Sequence, residues 1–405
     1  MLFRMAFRNL FRNKRRTLIT MTAIALGMAL IDVTITIQHG SYTDLINRGV
    51  SSIAGHVVVR STGFADDPES RVSESSDHAA RLAGVAKDAK VQRRIMLGGL
   101  LTSTSGSAAV QAVAVEAATS REVGSMYDEM ISGDWLETDR DIIIGARLAE
   151  TLDVTEGEKL VFMGQSDGEM TSRLFRLRGV FKTGAADVDG FMVVMPLAAA
   201  QEIVGGEDVA SMVTLHLDDA GTWPEAVAAA RTAFEGVDVD VLSWKGAMPD
   251  VDAFIEADRS IGQGMLFALF IIVSMGVFNT FLMSVLERTR EFGVLQSIGM
   301  KPNQIAKLVL LEGALLGFFG VLLGSLIGAA LSYSTIVNGL DFTESMGEGM
   351  SNAGVVMATH FYGAWDIPRM IFFAIACFIV TFIAAIWPAW KVSRLEPVKA
   401  LRNQG

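Results

Sequence analysis

Four apolar runs of membrane-spanning length govern what this chain can become. Residues 17–38 are apolar apart from Asp32, and residues 261–286, 313–337 and 370–390 carry no charge at all. A bilayer core takes roughly 20 apolar residues of helix. Four such runs overwhelm any soluble core of this size and predict four transmembrane helices. They also explain why the chain combines a mean hydropathy of +0.39 with a net charge of −11. Residues 39–258 hold 36 of the 45 acidic residues but 18 of the 34 basic ones, so this block carries −18 and the rest +7. An acidic block interrupts a basic, apolar frame. The balance argues against a nucleic-acid partner. The single cysteine, Cys377, excludes a disulfide within the chain and a cysteine-rich zinc module. It reads as a packing residue of the fourth span.

Lys and Arg in the short flanks set the orientation. Before the first span lie Arg4, Arg8, Arg12, Lys14, Arg15 and Arg16; between the second and third lie Arg288, Arg290 and Lys301; after the fourth lie Lys391, Arg394, Lys399 and Arg402. All three segments are cytoplasmic if both termini are inside. The predicted order is a cytoplasmic amphipathic helix (1–16), spans at 17–38, 261–286, 305–337 and 369–390, an external domain at 39–258, a cytoplasmic link at 287–303, an external loop at 338–367 and a cytoplasmic tail at 391–405. The first helix places Phe3, Phe7, Leu10 and Phe11 on one face and its arginines on another, which suits the membrane interface.

The external block reads as α+β. Strands are expected at 55–60, 91–101, 108–115, 142–144, 159–163, 173–180, 192–195 and 212–217, and helices at 73–82, 197–204 and 223–234. Ser73 or Ser75 is the expected cap of the first helix. A subdomain boundary is expected near 130. Gly164, Ser166 and Gly168 fit G-x-S-x-G, but that motif needs a following helix. Strand-like sequence flanks it on both sides, so a hairpin tip is the better reading. The five histidines are dispersed, without H-E-x-x-H, and no G-x-x-x-x-G-K-[ST] is present.

Two patterns remain. Gly313, Gly317, Gly320, Gly324 and Gly328 fall within about 80° on the third span at 100° per residue. Such small residues let helix backbones approach closely, within the chain or across a dimer axis. The link from 287 to 303 has an apolar side in Phe292, Leu295, Ile298 and Met300, with Gly299 placed as a C-cap and Pro302 opening the next helix. Too apolar for a solvated loop, it should dock on the membrane surface or a cytoplasmic protein. Two acids lie inside the frame. Asp32, in the outer part of the first span, is expected to be hydrated or paired. Glu312 lies about seven residues, roughly 10 Å, into the third helix.

This link resembles the signature of the FtsX-like/MacB-type ABC transporter permease superfamily, E-R-x-x-E-[FI]-G-[VIL]-[LM]-x-[AS]-[IL]-G. It is met by Glu287, Arg288, Glu291, Phe292, Gly293, Val294, Leu295, Ser297, Ile298 and Gly299, then Glu312 and Gly313. Residues 6–17 and 387–402 resemble the family's entry helix and close, and the external block its periplasmic domain. The layout is that of the LolC/LolE lipoprotein-releasing permeases. The resemblance implies an α-helical membrane protein of the bacterial inner membrane, with a large α+β extracytoplasmic domain inserted between helices 1 and 2. It implies a permease subunit that is not itself catalytic. ATP and Mg would act through a cytoplasmic ABC ATPase dimer, with no cofactor or metal bound here. Glu287, Arg288, Arg290, Glu291, Phe292, Gly293, Leu295, Gly299 and Met300 would form the coupling helix. Glu312 would match the family's acid and tie to Arg288 or Arg290. Further partners would be a second permease subunit, identical or different, membrane lipids, and a lipoprotein or periplasmic protein. The output would be extraction or export of a lipoprotein or other amphiphile. The alternative is an FtsX-like transmitter that activates an envelope hydrolase, and a third class is a membrane-anchored sensor without an ATPase.

Overall fold

The computed structural model describes residues 2–12, 14–50, 54–64, 67, 70–87, 89–123, 126–166, 169–341, 351–352, 355–356 and 360–394. The tail from 395 onward, the hairpin tip at 167–168 and much of the 338–367 loop lie outside the described residues. The chain divides into two units: one is Met1–Tyr42, Ala257–Leu340 and Phe361–Gly405, the other Thr43–Glu256 and Asp341–His360.

The first unit is helical. Its elements are α1 (Leu2–Arg12), α2 (Lys14–Gly49), and, after the second unit, α10 (Pro249–Glu287), α11 (Thr289–Ser297), α12 (Pro302–Asn338) and α13 (Ile367–Ser393). Four helices are long and apolar enough to cross a membrane. Two outrun the apolar segments that announce them. The first span was expected to end at 38, yet its helix continues to Gly49. The second was expected from 261, yet its helix starts at Pro249, with Asp250 and Asp252 in the first turn. Hydropathy marks where lipid ends, not where hydrogen bonding ends. A proline at the start and acids in the first turn both favour a helix N-terminus.

The glycine face of α12 meets two helices. A Cβ added at Gly317 would lie 2.9 Å from the Thr381 side chain on α13. One at Gly320 would lie 2.9 Å from Ile24, at Gly324 2.7 Å from the Ala25 carbonyl oxygen, and at Gly328 2.8 Å from Cβ of Asp32, all on α2. This is a seam within the chain. Buried Ile24, Met28, Val321 and Cys377 continue it. Asp32 is fully buried there, and neither carboxylate oxygen has a hydrogen-bond partner among the described residues. The pairing half of the expectation finds no partner for Asp32 among the described residues.

The second unit is α+β: β1 (Val57–Ser61), α3 (Ser75–Ala83), β2 (Lys90–Thr102), β3 (Ser107–Val115), α4 (Ala117–Val123), β4 (Met130–Gly133), β5 (Asp141–Gly145), α5 (Ala146–Leu152), β6 (Lys159–Ser166), β7 (Glu169–Phe181), α6 (Ala186–Phe191), β8 (Met192–Pro196), α7 (Leu197–Val204), β9 (Met212–His216), α8 (Trp223–Ala233), β10 (Val239–Ser243) and α9 (Trp244–Ala247). One sheet runs β10-β1-β9-β2-β3-β8-β5-β7-β4, with β6 between β2 and β7. Near 130, β4 is paired to β7 as an edge strand of this sheet. The long strand β2 joins two cores. Its first half pairs with β9 and its second with β6. Leu97, Leu101, Phe162, Phe175, Leu148 and Ile203 share one core. Val57, Val59, Val213, Leu215, Leu82 and Phe234 share another.

The G-x-S-x-G segment is the β6–β7 hairpin, where Ser166 pairs with Glu169. Ser73 and Ser75 do not cap α3. Its N-cap is Glu74, in the left-handed region, and the free Ser76 N–H donates to Asp208 at 3.0 Å. A carboxylate distant in sequence does what the local serines were expected to do. Two of the dispersed histidines fall near one another in the sheet. Buried His56 accepts from the Leu217 N–H at 3.0 Å and buried His216 meets Thr214 Oγ1 at 3.1 Å. Burial pushes both imidazoles below their ordinary value.

The seam gives a direct test. Gly324→Leu forces a side chain against the α2 backbone and is expected to cost about 1–3 kcal/mol by overpacking. Gly264→Ala, where a Cβ meets nothing within 4 Å, is expected to be neutral or to stabilise by up to about 1 kcal/mol through helix propensity. Thermal unfolding in detergent measures both.

Candidate functional site

The link between α10 and α12 contains a partly buried polar network. α10 ends at Glu287, and Arg288 forms the turn before α11. Arg288 Nη1 donates to Glu312 Oε2 at 2.7 Å, with side-chain exposures of 8% and 7%. Its Nε donates to Glu291 Oε2 at 2.9 Å. Glu312 also accepts from Asn9 Nδ2 at 2.6 Å, and Glu291 accepts from Arg12 Nη2. Three segments, α1, the link and α12, are thus held by two guanidiniums, one amide and two carboxylates. The Arg288 guanidinium lies 5.2 Å from the Phe292 ring centroid, adding a cation–π contact.

Of the two acids, Glu312 is the buried one. A buried charge survives only if paired and hydrogen-bonded, and Glu312 uses both oxygens, one for Arg288 and one for Asn9. Burial lowers the Arg288 pKa, but Glu312 and Glu291 outweigh it and hold the group above its ordinary value. Burial raises Glu291, and the bonds from Arg288 and Arg12 outweigh that and hold it below its ordinary 4.5. Its contribution is complete above that ordinary value and is lost as pH falls through the depressed one.

α11 stands on this base. Phe292 is 1% exposed and packs with Leu10, Val285, Ile305, Val309 and Ala389; Leu295 and Met300 pack against the same cluster. Gly293 is buried on the same side. The helix closes as the sequence predicts. Gly299 has φ +99°, its N–H donates to the Gln296 carbonyl at 3.0 Å, and the Met300 N–H donates to the Leu295 carbonyl at 3.0 Å. That pair of bonds is a Schellman closure, which favours glycine at the left-handed position. Pro302 then opens α12, and the Lys301 N–H donates to Gln304 Oε1 at 2.9 Å.

The proposed apolar side of the link divides in two. Phe292 and Ile298 are six positions apart, about 240° around a helix, so they cannot share a face. Phe292, Leu295 and Met300 turn inward. Ile298 is 78% exposed, and Val294 and Leu286 are exposed with it. Glu287 and Arg290 are also exposed. The outward face is therefore Leu286, Glu287, Arg290, Val294 and Ile298. Arg288 is the residue that reaches Glu312, and Arg290 belongs to the surface. Asn9, Arg12 and Leu286 are the members that sequence reasoning did not place at this site, and Val294 entered it only through the signature. The four-residue spacing of Arg8 and Arg12 was visible, but nothing local marks Asn9 as the partner of an acid 303 positions away.

Two family models match the chain. Residues 17–233 match the MacB-like periplasmic core domain and residues 264–397 the FtsX-like permease C-terminal domain. The chain belongs to this family of FtsX-like permeases with a MacB-like periplasmic core. It is 22% identical over 401 residues to the lipoprotein-releasing system transmembrane protein LolC of Neisseria meningitidis serogroup B, covering 96% of this chain and 94% of the relative. It is 22% identical over 403 residues to LolC of Xylella fastidiosa, covering 94% and 92%. It is 25% identical over 436 residues to the macrolide export ATP-binding/permease protein MacB of Neisseria gonorrhoeae, covering 98% of this chain and 60% of that one.

Removing one partner of the buried pair is the sharp test. Arg288→Met leaves Glu312 buried with Asn9 alone and is expected to cost about 3–5 kcal/mol, whereas Arg288→Met combined with Glu312→Leu is expected to recover most of that loss. A double-mutant cycle of thermal unfolding reads the coupling. Equal losses in the single and double variants would show that the pair holds nothing together.

Proposed function

We propose that the chain is a permease subunit of an ABC transporter, and that α11 is its coupling helix. The observation that carries this is the divided link. An outward face of Arg290, Val294 and Ile298 stands on an inward face fastened by Arg288 to Glu312. A helix meant to transmit force must expose one side to a partner and be fixed by the other. The partner is a cytoplasmic ABC ATPase acting as a dimer on a separate chain, and ATP and Mg bind there. This chain is not catalytic. The basic flanks put α1, α11 and both termini on the cytoplasmic side of the inner membrane.

The α+β domain between the first and second spans then lies in the periplasm. Its outer sheet face supports an amphiphilic substrate. Leu100, Met170 and Leu174 are exposed there, and the register sets Leu100 opposite Met163 and Leu174 opposite Val161. A lipoprotein or similar amphiphile is the substrate class, released or exported by motion of this domain. A second permease subunit completes the complex. The many exposed apolar residues of α10, among them Ile261, Phe267, Ile272 and Met275, support a lipid or partner-helix environment for that span.

Affinity purification of the full chain from membranes is expected to retain an ABC ATPase. Val294→Asp with Ile298→Asp should keep the fold, since surface changes are usually within about 0.5 kcal/mol. It should weaken ATPase retention tenfold or more, about 1.4 kcal/mol. If wild-type chain retains no ATPase, the permease reading fails. A photocrosslinker at Leu174 separates the outputs: lipoprotein adducts support the reading, and a periplasmic hydrolase adduct replaces it with the transmitter.

A further inference from the structure

The helix α1 presents three faces, and only one is accounted for by packing. Ala6 and Leu10 are buried. On one side of them, Asn9 and Arg12 hold Glu312 and Glu291. On the other side, Phe3 and Phe7 are exposed, and the Phe7 ring lies 6.5 Å from that of Phe319 on α12. Phe319 in turn stacks edge-on against exposed Phe318 at 5.5 Å. Phe3 and Phe7 therefore continue the outward aromatic surface of a membrane span, which places them against hydrocarbon. Between these edges stand Arg4 and Arg8, exposed, one turn apart and without an acidic partner among the described residues.

We infer that Arg4 and Arg8 form a headgroup site for an anionic phospholipid of the adjoining leaflet, and that this lipid steadies the coupling helix through α1. The occupant follows from charge and depth. Two unpaired guanidiniums one helical turn apart suit a phosphodiester, which accepts paired N–H donors. The neighbouring phenylalanines supply an apolar wall for the acyl chains, the arrangement of an interfacial amphipathic helix. Each arginine close to an anionic surface contributes about fivefold in affinity. Asn9 and Arg12 are on the same two-turn stretch of helix as Arg8. Fixing α1 by its outer face therefore fixes the donors that Glu312 and Glu291 require.

The regulatory half rests on the reading of α11 as a coupling helix; the lipid site does not. The test uses the purified full chain without any ATPase. Native mass spectrometry in mixed micelles is expected to show phosphatidylglycerol retained over phosphatidylcholine by tenfold or more. Arg4→Gln with Arg8→Gln should remove most of that preference without changing the thermal midpoint, and Arg4→Lys with Arg8→Lys should keep most of it. Lys14 and Arg15, exposed at the start of α2, remain in both variants, so general attraction to charged lipid persists. Equal retention by wild type and the glutamine variant overturns the site. Competition by inorganic phosphate in place of lipid overturns the choice of occupant.

For the second half, the chain is placed in nanodiscs and hydrogen exchange is followed over 289–297. Phosphatidylglycerol is expected to slow exchange there in wild type and to leave the glutamine variant unchanged. An identical response in both, or none in wild type, overturns the link to α11. A chain that binds lipid as described but retains no ATPase from membranes would defeat the permease reading and leave the lipid site standing.

Discussion

The pairing of Arg288 with Glu312 is the interaction on which the junction of α1, α11 and α12 depends. A helix that ends in a membrane interface leaves carbonyls exposed, and the next helix begins with free N–H groups. Here the junction between α10 and α12 is instead filled by a buried guanidinium. That group satisfies two carboxylates from different helices and covers an aromatic ring. Once Arg288 is in place, the direction of α11 follows. Glu291 and Phe292, three and four positions on, must face the same interior. Arg290, Val294 and Ile298 are then left outside by helical geometry alone.

The pair also explains why α1 belongs to the bundle. An isolated amphipathic helix of this length is marginal in water. Asn9 and Arg12 give it two directional attachments to the acids that α11 and α12 provide. The resulting unit has three elements and one polar centre. Burial of such a centre contributes little net stability compared with an apolar replacement. Its effect is on geometry, since the alternatives leave a charge unpaired. A polar centre of this kind suits a part that must hold one orientation under load.

The sequence revealed the frame well because lipid enforces a simple rule. Every uncharged run of about 20 residues had to become a helix, and each did. The regular strands of the α+β unit were legible for a related reason: alternation of apolar residues along 107–115, 159–166 and 212–216 is a one-dimensional signal. What could not be read was any contact between distant positions. Asp208 caps α3 from across the sheet, and no pattern around Ser75 points to it. Strand β2 belongs to two cores because its halves pair with different neighbours, and a run of 13 residues looks the same either way. The extension of α2 to Gly49 was hidden because polar residues continue a helix without the hydropathy that had announced it.

The link shows the same limit at the site. Its sequence contains both its inside and its outside, and a list of apolar residues cannot separate them. Angular position does: Phe292 and Ile298 lie about 120° apart by the shorter way round, so burying one turns the other away from that interior. The acid at 312 decides which, because only the Arg288 face can reach it. A signature read as a docking surface is thus in large part an internal fastening. Arg288, Glu291, Phe292, Gly293, Leu295 and Met300 set the pose of α11, and the face that pose exposes is carried by the fewer residues Arg290, Val294 and Ile298. Selection for a fixed pose and selection for a partner would then act on different positions of one short helix.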